Sequence, residues 1–222
     1  MRKVAIIIPT SNNLKQLETA VSSFMNSTDY EDYRFIIIES ESTDGTKEYC
    51  DYMQKKLGIE KFRVYHTKKE GSIKACNFGI NQTNANEDVL LTQDDMLFFK
   101  LYKRDWLVEM IRTSQLEGAG AVTILNGGGR SGPDYLEGLT WAGTWCLYLP
   151  RKTIEKVGLF DEQFKIGEDI DYSYRIYQSG LNIVHINVWF DHHMFRETSH
   201  QPQDEELKKK NAQLFRRKHG LK

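Results

Sequence analysis

The chain has 222 residues, and its 30 Lys plus Arg against 31 Asp plus Glu leave a formal charge of −1. With 40 % apolar and 27 % charged residues it has a globular composition, which excludes intrinsic disorder, and its near-neutrality argues against a dedicated nucleic-acid binder, which carries a basic surplus. A chain of this length buries roughly 70 % of its unfolded surface as one domain, so it needs no disulfide or metal to fold.

The elements alternate from the start. Val4-Ala-Ile-Ile-Ile8, closed by Pro9, is apolar on both faces and predicts a buried parallel strand. Thr10-Ser-Asn-Asn13 offers helix caps, and Leu14, Leu17, Val21 and Phe24 recur at helical spacing. Strands follow at 34–38, 62–66 and 89–92, with helices at 46–57 and 72–82 between them. This β-α-β-α-β-α-β order predicts an α/β fold with a mainly parallel, doubly wound sheet. Ligands of such sheets sit beyond the carboxyl ends of the strands, here residues 9–13, 39–45 and 93–96. The second half predicts a helix at 106–117, strands at 118–124, 144–149, 181–186 and 188–190, a loop at 127–133, and helices at 152–157 and 168–179. No repeat or linker divides the chain, so one domain is expected: a nucleotide-type half (1–97), an acceptor-type half (98–200) and a basic C-terminal helix (201–222).

Cys50, Cys76 and Cys146 cannot all pair and fit no zinc spacing, which suits buried thiols in a reducing compartment. No stretch nears 18 apolar residues, and the run at 4–8 is too short for a signal peptide, so a soluble, cytoplasmic protein is expected.

Four constellations carry chemistry. Gln93-Asp-Asp95 ends a buried strand; two adjacent carboxylates there call for a cation, and hard oxygens suit Mg²⁺ or Mn²⁺. Gly167-Glu-Asp-Ile-Asp171 opens a helix with more acids than a cap needs, and one of them could act as a general base. Asp191-His-His193 could add an imidazole to a site with Asp95. Gly71–Gly79 carries Lys74 at a helix start, where a cation and free N–H groups would suit a diphosphate. Neither a P-loop nor Gly-x-Gly-x-x-Gly is present.

In this order the segments resemble the inverting family 2 glycosyltransferases of GT-A fold, over residues 3–195. The matching stretches are Ile6-Ile-Ile-Pro-Thr-Ser-Asn-Asn13, Glu39-Ser-Glu-Ser-Thr-Asp-Gly-Thr46, the Gly-x-x-x-Ala-x-Asn-x-Gly segment from Gly71 to Gly79, Gln93-Asp94-Asp95, Val157-Gly-Leu-Phe-Asp-Glu-Gln-Phe164 and Glu168-Asp169. The resemblance implies transfer of a sugar from a nucleoside-diphosphate sugar to a glycan, a lipid-linked or another hydroxyl acceptor, with inversion and with Mn²⁺ or Mg²⁺. It implies that Pro9, Thr10, Asn12, Glu39, Ser40, Lys74, Asn77, Gln93 and Asp94 bind the nucleotide sugar. Asp95, with His193 or His192, would hold the metal; Asp169 would be the catalytic base and Glu168 would hold the acceptor or orient that base. Two departures stand out: Glu39 replaces the usual Asp, and Gln93 removes one acid from the Asp-x-Asp element. Trp141 and Trp145 are acceptor candidates, because an indole can stack on a pyranose face.

For Asp169 the helix dipole and free N–H groups predict a lowered pKa, opposed by repulsion from Glu168 and Asp171. The C-terminal helix carries Leu207, Asn211, Leu214 and Phe215 on one stripe beside Lys208–Lys210 and Arg216–Lys218. That leaves a solvated basic face, a peripheral contact with the inner membrane face, and a homodimer as open expectations. Alternatives to transfer are a sugar-nucleotide nucleotidyltransferase, for which the Gly-rich loop with Arg is missing, and a non-catalytic glycan- or nucleotide-sugar-binding module.

Overall fold

The computed structural model describes residues 2–129, 140–192 and 203–221. Its first half is β1 (Lys3–Thr10), α1 (Leu14–Ser27), β2 (Tyr33–Ser40), α2 (Thr46–Leu57), β3 (Phe62–Thr67), α3 (Ser72–Asn81) and β4 (Glu87–Thr92). Then come α4 (Trp106–Ser114), β5 (Ala119–Ile124), two short strands β6 (Gly128–Gly129) and β7 (Trp141–Ala142), β8 (Cys146–Leu149), α5 (Arg151–Val157), α6 (Glu168–Gln178), β9 (Asn182–Ile186) and α7 (Gln203–His219). Seven strands form one sheet in the order β3-β2-β1-β4-β8-β5-β9. It is parallel except for β8, which runs antiparallel to both β4 and β5. The mainly parallel α/β expectation holds; the reversed strand had no signature, because Cys146–Leu149 is buried whichever way it runs. Residues 188–190, expected as a strand, lie outside the sheet. Part of the expected 127–133 loop falls outside the described residues.

The continuous apolar runs reflect burial on both faces. Val4, Ile6 and Ile8 point into one core with Val21 and Phe24 of α1 and Met53 of α2. Ala5 and Ile7 point into a second core with Ile73 and Ile80 of α3 and Ile176 of α6. Gly79 lets α3 approach β1, since a Cβ there would come 2.6 Å from Ile7 Cγ2. Below the sheet, the buried Arg34 guanidinium donates to both oxygens of buried Glu87, at 2.6 and 2.7 Å, tying together the two strands that flank β1.

Asp171, one of the acids expected near the base, is fully buried and serves the fold instead. Its Oδ2 accepts from Arg175 Nε at 2.8 Å, and its Oδ1 meets Lys218 Nζ at 2.8 Å and His219 Nε2 at 2.9 Å. Lys218 also reaches Asp161 at 2.7 Å. Lys218, one cation of the expected basic face of α7, is therefore turned inward and, with His219, fastens that helix to α6. The three cysteines are buried free thiols. No helix among the described residues is long and apolar enough to cross a membrane.

Candidate active site

The carboxyl ends of β1, β2 and β4 and the start of α3 enclose a cleft of about 150 Å³, lined by Pro9, Thr10, Ser11, Ser40, Lys69, Ser72 and Asp94 among others. This is the crevice that the parallel-sheet rule picks out. Thr10 Oγ1 donates to Asp94 Oδ2 at 2.7 Å. Burial, with a contribution from Asp95, raises the Asp94 carboxyl to about 6 even though Thr10 and Asn13 hydrogen bonds oppose it. Lys69 and Ser72 escaped the sequence reading; the Lys68-Lys69 pair closing the third strand just before the Gly71 helix start was the available signal.

The loops behind the cleft are stapled together, which gives Ser42-Thr-Asp-Gly-Thr46 a structural purpose. Asp44 accepts from Leu14 N and Thr46 N, both at 3.0 Å, and so holds the starts of α1 and α2 with one carboxylate. Burial pushes that carboxyl up, but these bonds and the Thr46 hydroxyl outweigh it and leave it below its ordinary value. Asn12, with a left-handed backbone at φ 51°, accepts from Thr43 N at 2.7 Å. Its side chain is spent on the loop rather than turned to the cleft.

Other expected binding residues are engaged in the same way. Glu39 is 1 % exposed: Oε1 accepts from Ser42 N at 2.7 Å, and Oε2 lies 2.6 Å from His66 Nδ1. Burial opposes ionisation of Glu39, but these bonds prevail and hold its carboxyl below the usual range. Ser40, its neighbour on the opposite face of β2, lines the cleft. Asn77 donates to Phe160 O at 2.9 Å and to Glu162 Oε1 at 3.0 Å, and accepts from Phe160 N at 3.0 Å, pinning the segment before α6 to α3. Lys74 pairs with Glu70 on the surface at 3.0 Å.

At the end of β4, Leu97 N donates to Asp191 O at 2.9 Å and draws residues 191–192 alongside 93–95. His192 Nε2 lies 3.0 Å from Gln93 Oε1 and 3.5 Å from Asp95 Oδ1. Its ring stacks on Trp145 at a centroid distance of 5.0 Å and an angle of 11°. Trp145 in turn donates from Nε1 to Asn126 O at 3.2 Å and meets Trp141 edge-on at 5.9 Å. A Cβ on Gly143 would overlap the Trp145 ring, so that glycine admits the indole. One face of Trp145, expected to carry a sugar, is thus taken by His192. His193 lies outside the described residues.

Buried Asp95 and the imidazole beside it form an oxygen–nitrogen pair of the ligand types that Mn²⁺ accepts. Three protein ligands do not gather anywhere among the described residues.

Glu168 and Asp169 open α6 after Gly167, which has φ 80°. Asp169 Oδ1 accepts from Ile170 N at 2.8 Å. The expected repulsion from Glu168 acts here, but burial, absent from the sequence reading, is the larger cause: together they push the Asp169 carboxyl up to about 7. Burial raises Glu168 as well. For both acids desolvation by burial is the largest cause and outweighs the backbone hydrogen bonds that lower them. Glu168 lies close enough to α3 that its charge, after burial, contributes to raising the Cys76 thiol to about 12. Cys76 is one helical turn beyond Ser72, which lines the cleft.

The family model of glycosyl transferase family 2 matches residues 5–145. A curated relative from Methanococcus voltae, a dolichyl N-acetyl-alpha-D-glucosaminyl phosphate 3-beta-D-2,3-diacetamido-2,3-dideoxy-beta-D-glucuronosyltransferase, is 26 % identical over 82 % of this chain and 64 % of its own length. A GalNAc(5)-diNAcBac-PP-undecaprenol beta-1,3-glucosyltransferase of Campylobacter jejuni is 31 % identical over 44 % of this chain and 31 % of its own. This chain thus spans less than two thirds of either relative. Among solved structures, the mannosyltransferase PcManGT from Pyrobaculum calidifontis, in complex with GDP-Man and Mn²⁺, superposes with a TM-score of 0.64 at 18 % identity, over 84 % of this chain and 55 % of that one.

Proposed function

The chain belongs to glycosyl transferase family 2, and from that premise we propose that it transfers a glycosyl group from a nucleoside-diphosphate sugar to an acceptor hydroxyl with inversion. The observation that carries the reading is the cleft at the carboxyl ends of the parallel strands, lined by Thr10, Ser40, Lys69 and Asp94, to which the acid pair Glu168–Asp169, raised by burial, adds a candidate base. The 1–97 half binds the donor and the 98–200 half the acceptor.

Pro9, Thr10, Ser40 and Asp94 line the donor cleft, and Lys69 faces the diphosphate there. Asn12, Glu39 and Asn77 act behind them by fixing the loops, and Lys74 stands at the rim. Asp95 and His192, with Gln93 orienting the imidazole and Trp145 holding its plane, would hold Mn²⁺ or Mg²⁺. A divalent cation bound there neutralises the charge that develops on the nucleoside-diphosphate leaving group. The Mn²⁺ and GDP-Man in the Pyrobaculum complex support this assignment.

Asp169 takes the proton of the acceptor hydroxyl as that oxygen bonds to the anomeric carbon. The bond to the diphosphate breaks on the opposite face, and its electron pair leaves with the nucleoside diphosphate. A carboxyl near 7 suits this task, since it is half ionised at neutral pH and still basic enough to accept a proton. Glu168 sustains that basicity by repulsion.

Incubation with UDP-, GDP- and dTDP-sugars plus Mn²⁺, with release of nucleoside diphosphate as the readout, tests the reading. At least one donor should be consumed faster than by Asp169→Asn, and NMR of the anomeric proton of the product should show inversion. Consumption of none, with no nucleotide binding, overturns it.

A further inference from the structure

At the edge of the sheet, behind the donor cleft, an imidazole stands between two acids. His66, near the end of the edge strand β3, has Glu39 of β2 as its register partner. Its Nδ1 lies 2.6 Å from Glu39 Oε2, and its Nε2 lies 2.9 Å from Asp51 Oδ1 of α2. We infer that His66 is a positioning residue for donor binding: its imidazolium clamps Glu39, and through Glu39 the two segments that wall the cleft.

The geometry calls for the charged ring. A neutral imidazole carries one N–H and can donate to one of these acids, whereas the imidazolium donates to both. The charged groups that face it are Glu39 from β2 and Asp51 from α2. Cys50 of α2, close to Glu39, stays a neutral thiol, raised by burial to about 12. Burial works against a charge on the ring, but the two carboxylates outweigh it and hold the imidazole above its ordinary value. Asp51 is half exposed and can turn to water. Glu39 is buried, and its carboxylate needs a donor to stay there.

The clamp reaches the cleft by two routes. Glu39 Oε1 accepts from Ser42 N, and Ser42 Oγ in turn accepts from Asn12 N at 2.9 Å. Asn12 follows Ser11, which lines the cleft and whose Oγ is buried with no hydrogen-bond partner among the described residues. A polar group of a bound nucleotide would supply that partner. The second route runs through the next register pair, Ser40 and Thr67, on the opposite face of the two strands. Their hydroxyl oxygens lie 3.0 Å apart. Ser40 lines the cleft, and so does Lys69, two residues beyond Thr67. Release of the clamp therefore loosens Ser11, Ser40 and Lys69 together. This inference rests on the cleft being the donor site.

NMR titration of the His66 imidazole, free and saturated with UDP or GDP plus Mg²⁺, tests it; the His66 resonance is the one missing from His66→Asn. The imidazolium should favour nucleotide binding about threefold over the neutral ring, since a charge-assisted bond is stronger than a neutral one. Linkage then requires the nucleotide to raise the His66 midpoint by about half a pH unit. In calorimetry, the affinity of the wild type relative to His66→Asn should fall about threefold as the pH rises through that midpoint. Taking the ratio cancels the titration of the nucleotide and of Asp94. His66→Asn keeps a neutral N–H donor for Glu39 and should bind within about threefold of wild type at about pH 6, whereas His66→Leu has none and should bind about tenfold more weakly. Should His66→Leu lose its cooperative melt, the midpoint shift and the affinity ratio decide. A midpoint that the nucleotide leaves unmoved, or a ratio that is flat with pH, overturns the inference and leaves His66 as a pair that holds the edge strand. In that case nucleotide still binds and the transferase reading stands; if the wild type binds neither nucleotide, the donor-cleft reading fails and this inference with it.

Discussion

Replacing Asp169 by Asn should disable the protein and stabilise it at the same time. The Asp169 carboxyl is raised from 3.8 to about 7 by burial and then by Glu168. Between those two values the folded chain holds a proton that the unfolded chain has released. The unfolded state thus binds fewer protons, and stability falls as pH rises through that window. At about 1.36 kcal/mol per tenfold change, the full cost above pH 7 is roughly 4 kcal/mol. Solvent screening at this partly exposed site reduces it to the order of 2 kcal/mol. The isosteric amide carries no charge and escapes the cost. Asp169→Asn should therefore melt about 4–8 °C higher than wild type at pH 8.5, and the gain should fall by roughly half or more as the pH is lowered to 5 and vanish below the unfolded value of 3.8. Turnover should fall at least about a hundredfold while donor binding stays near wild type. Thermal denaturation followed by circular dichroism across pH, beside single-turnover kinetics, measures both. In the wild type the rate should rise to a plateau above about pH 7, and Glu168→Gln should move that rise to lower pH, because the repulsion that lifts Asp169 is gone. A melting difference that is flat with pH would refute the desolvated-acid reasoning, and a fully active Asp169→Asn would move the base elsewhere.

Asp95→Ala and His192→Ala should each remove the gain in UDP or GDP affinity that Mn²⁺ confers, measured by calorimetry with and without the metal, and Trp145→Ala should reduce that gain by about tenfold through the lost stack on His192; equal gains in variants and wild type would sink the cation assignment. Arg34→Leu leaves Glu87 as a buried, unpaired charge and should cost about 3–5 kcal/mol in urea denaturation, much of it recovered in the Arg34→Leu, Glu87→Leu double variant. Asp171→Asn weakens the contacts to Arg175, Lys218 and His219. Tryptic cleavage within α7 should then be several-fold faster, with nucleotide affinity unchanged; unaltered cleavage would show that α7 is held by its apolar stripe alone.

The α/β alternation, the parallel half of the sheet and the edge that carries the cleft were legible in the sequence. Two-sided burial writes itself as unbroken runs such as Val4–Ala–Ile–Ile–Ile8, and a crossover helix must separate parallel strands. Asp94, Asp95, Glu168 and Asp169 stood out for a related reason, since clustered carboxylates directly after a buried strand or at a helix start are costly to bury without a partner. What a polar side chain does once it is placed was not legible. Asn12, Glu39, Asn77 and Asp171 look in one dimension like the residues of a binding site, yet each holds a backbone or side-chain group of a distant segment: Thr43 N, His66, the Phe160 backbone and the end of α7. The direction of β8 was equally hidden, because burial is the same either way along a strand. The basicity of Asp169 needed the packed surroundings most of all. The sequence shows the helix terminus and the neighbouring charges, whereas desolvation, the larger effect, comes from elements far away in the chain. Local pattern fixes what a segment buries; only the tertiary structure decides which partner each buried polar group finds.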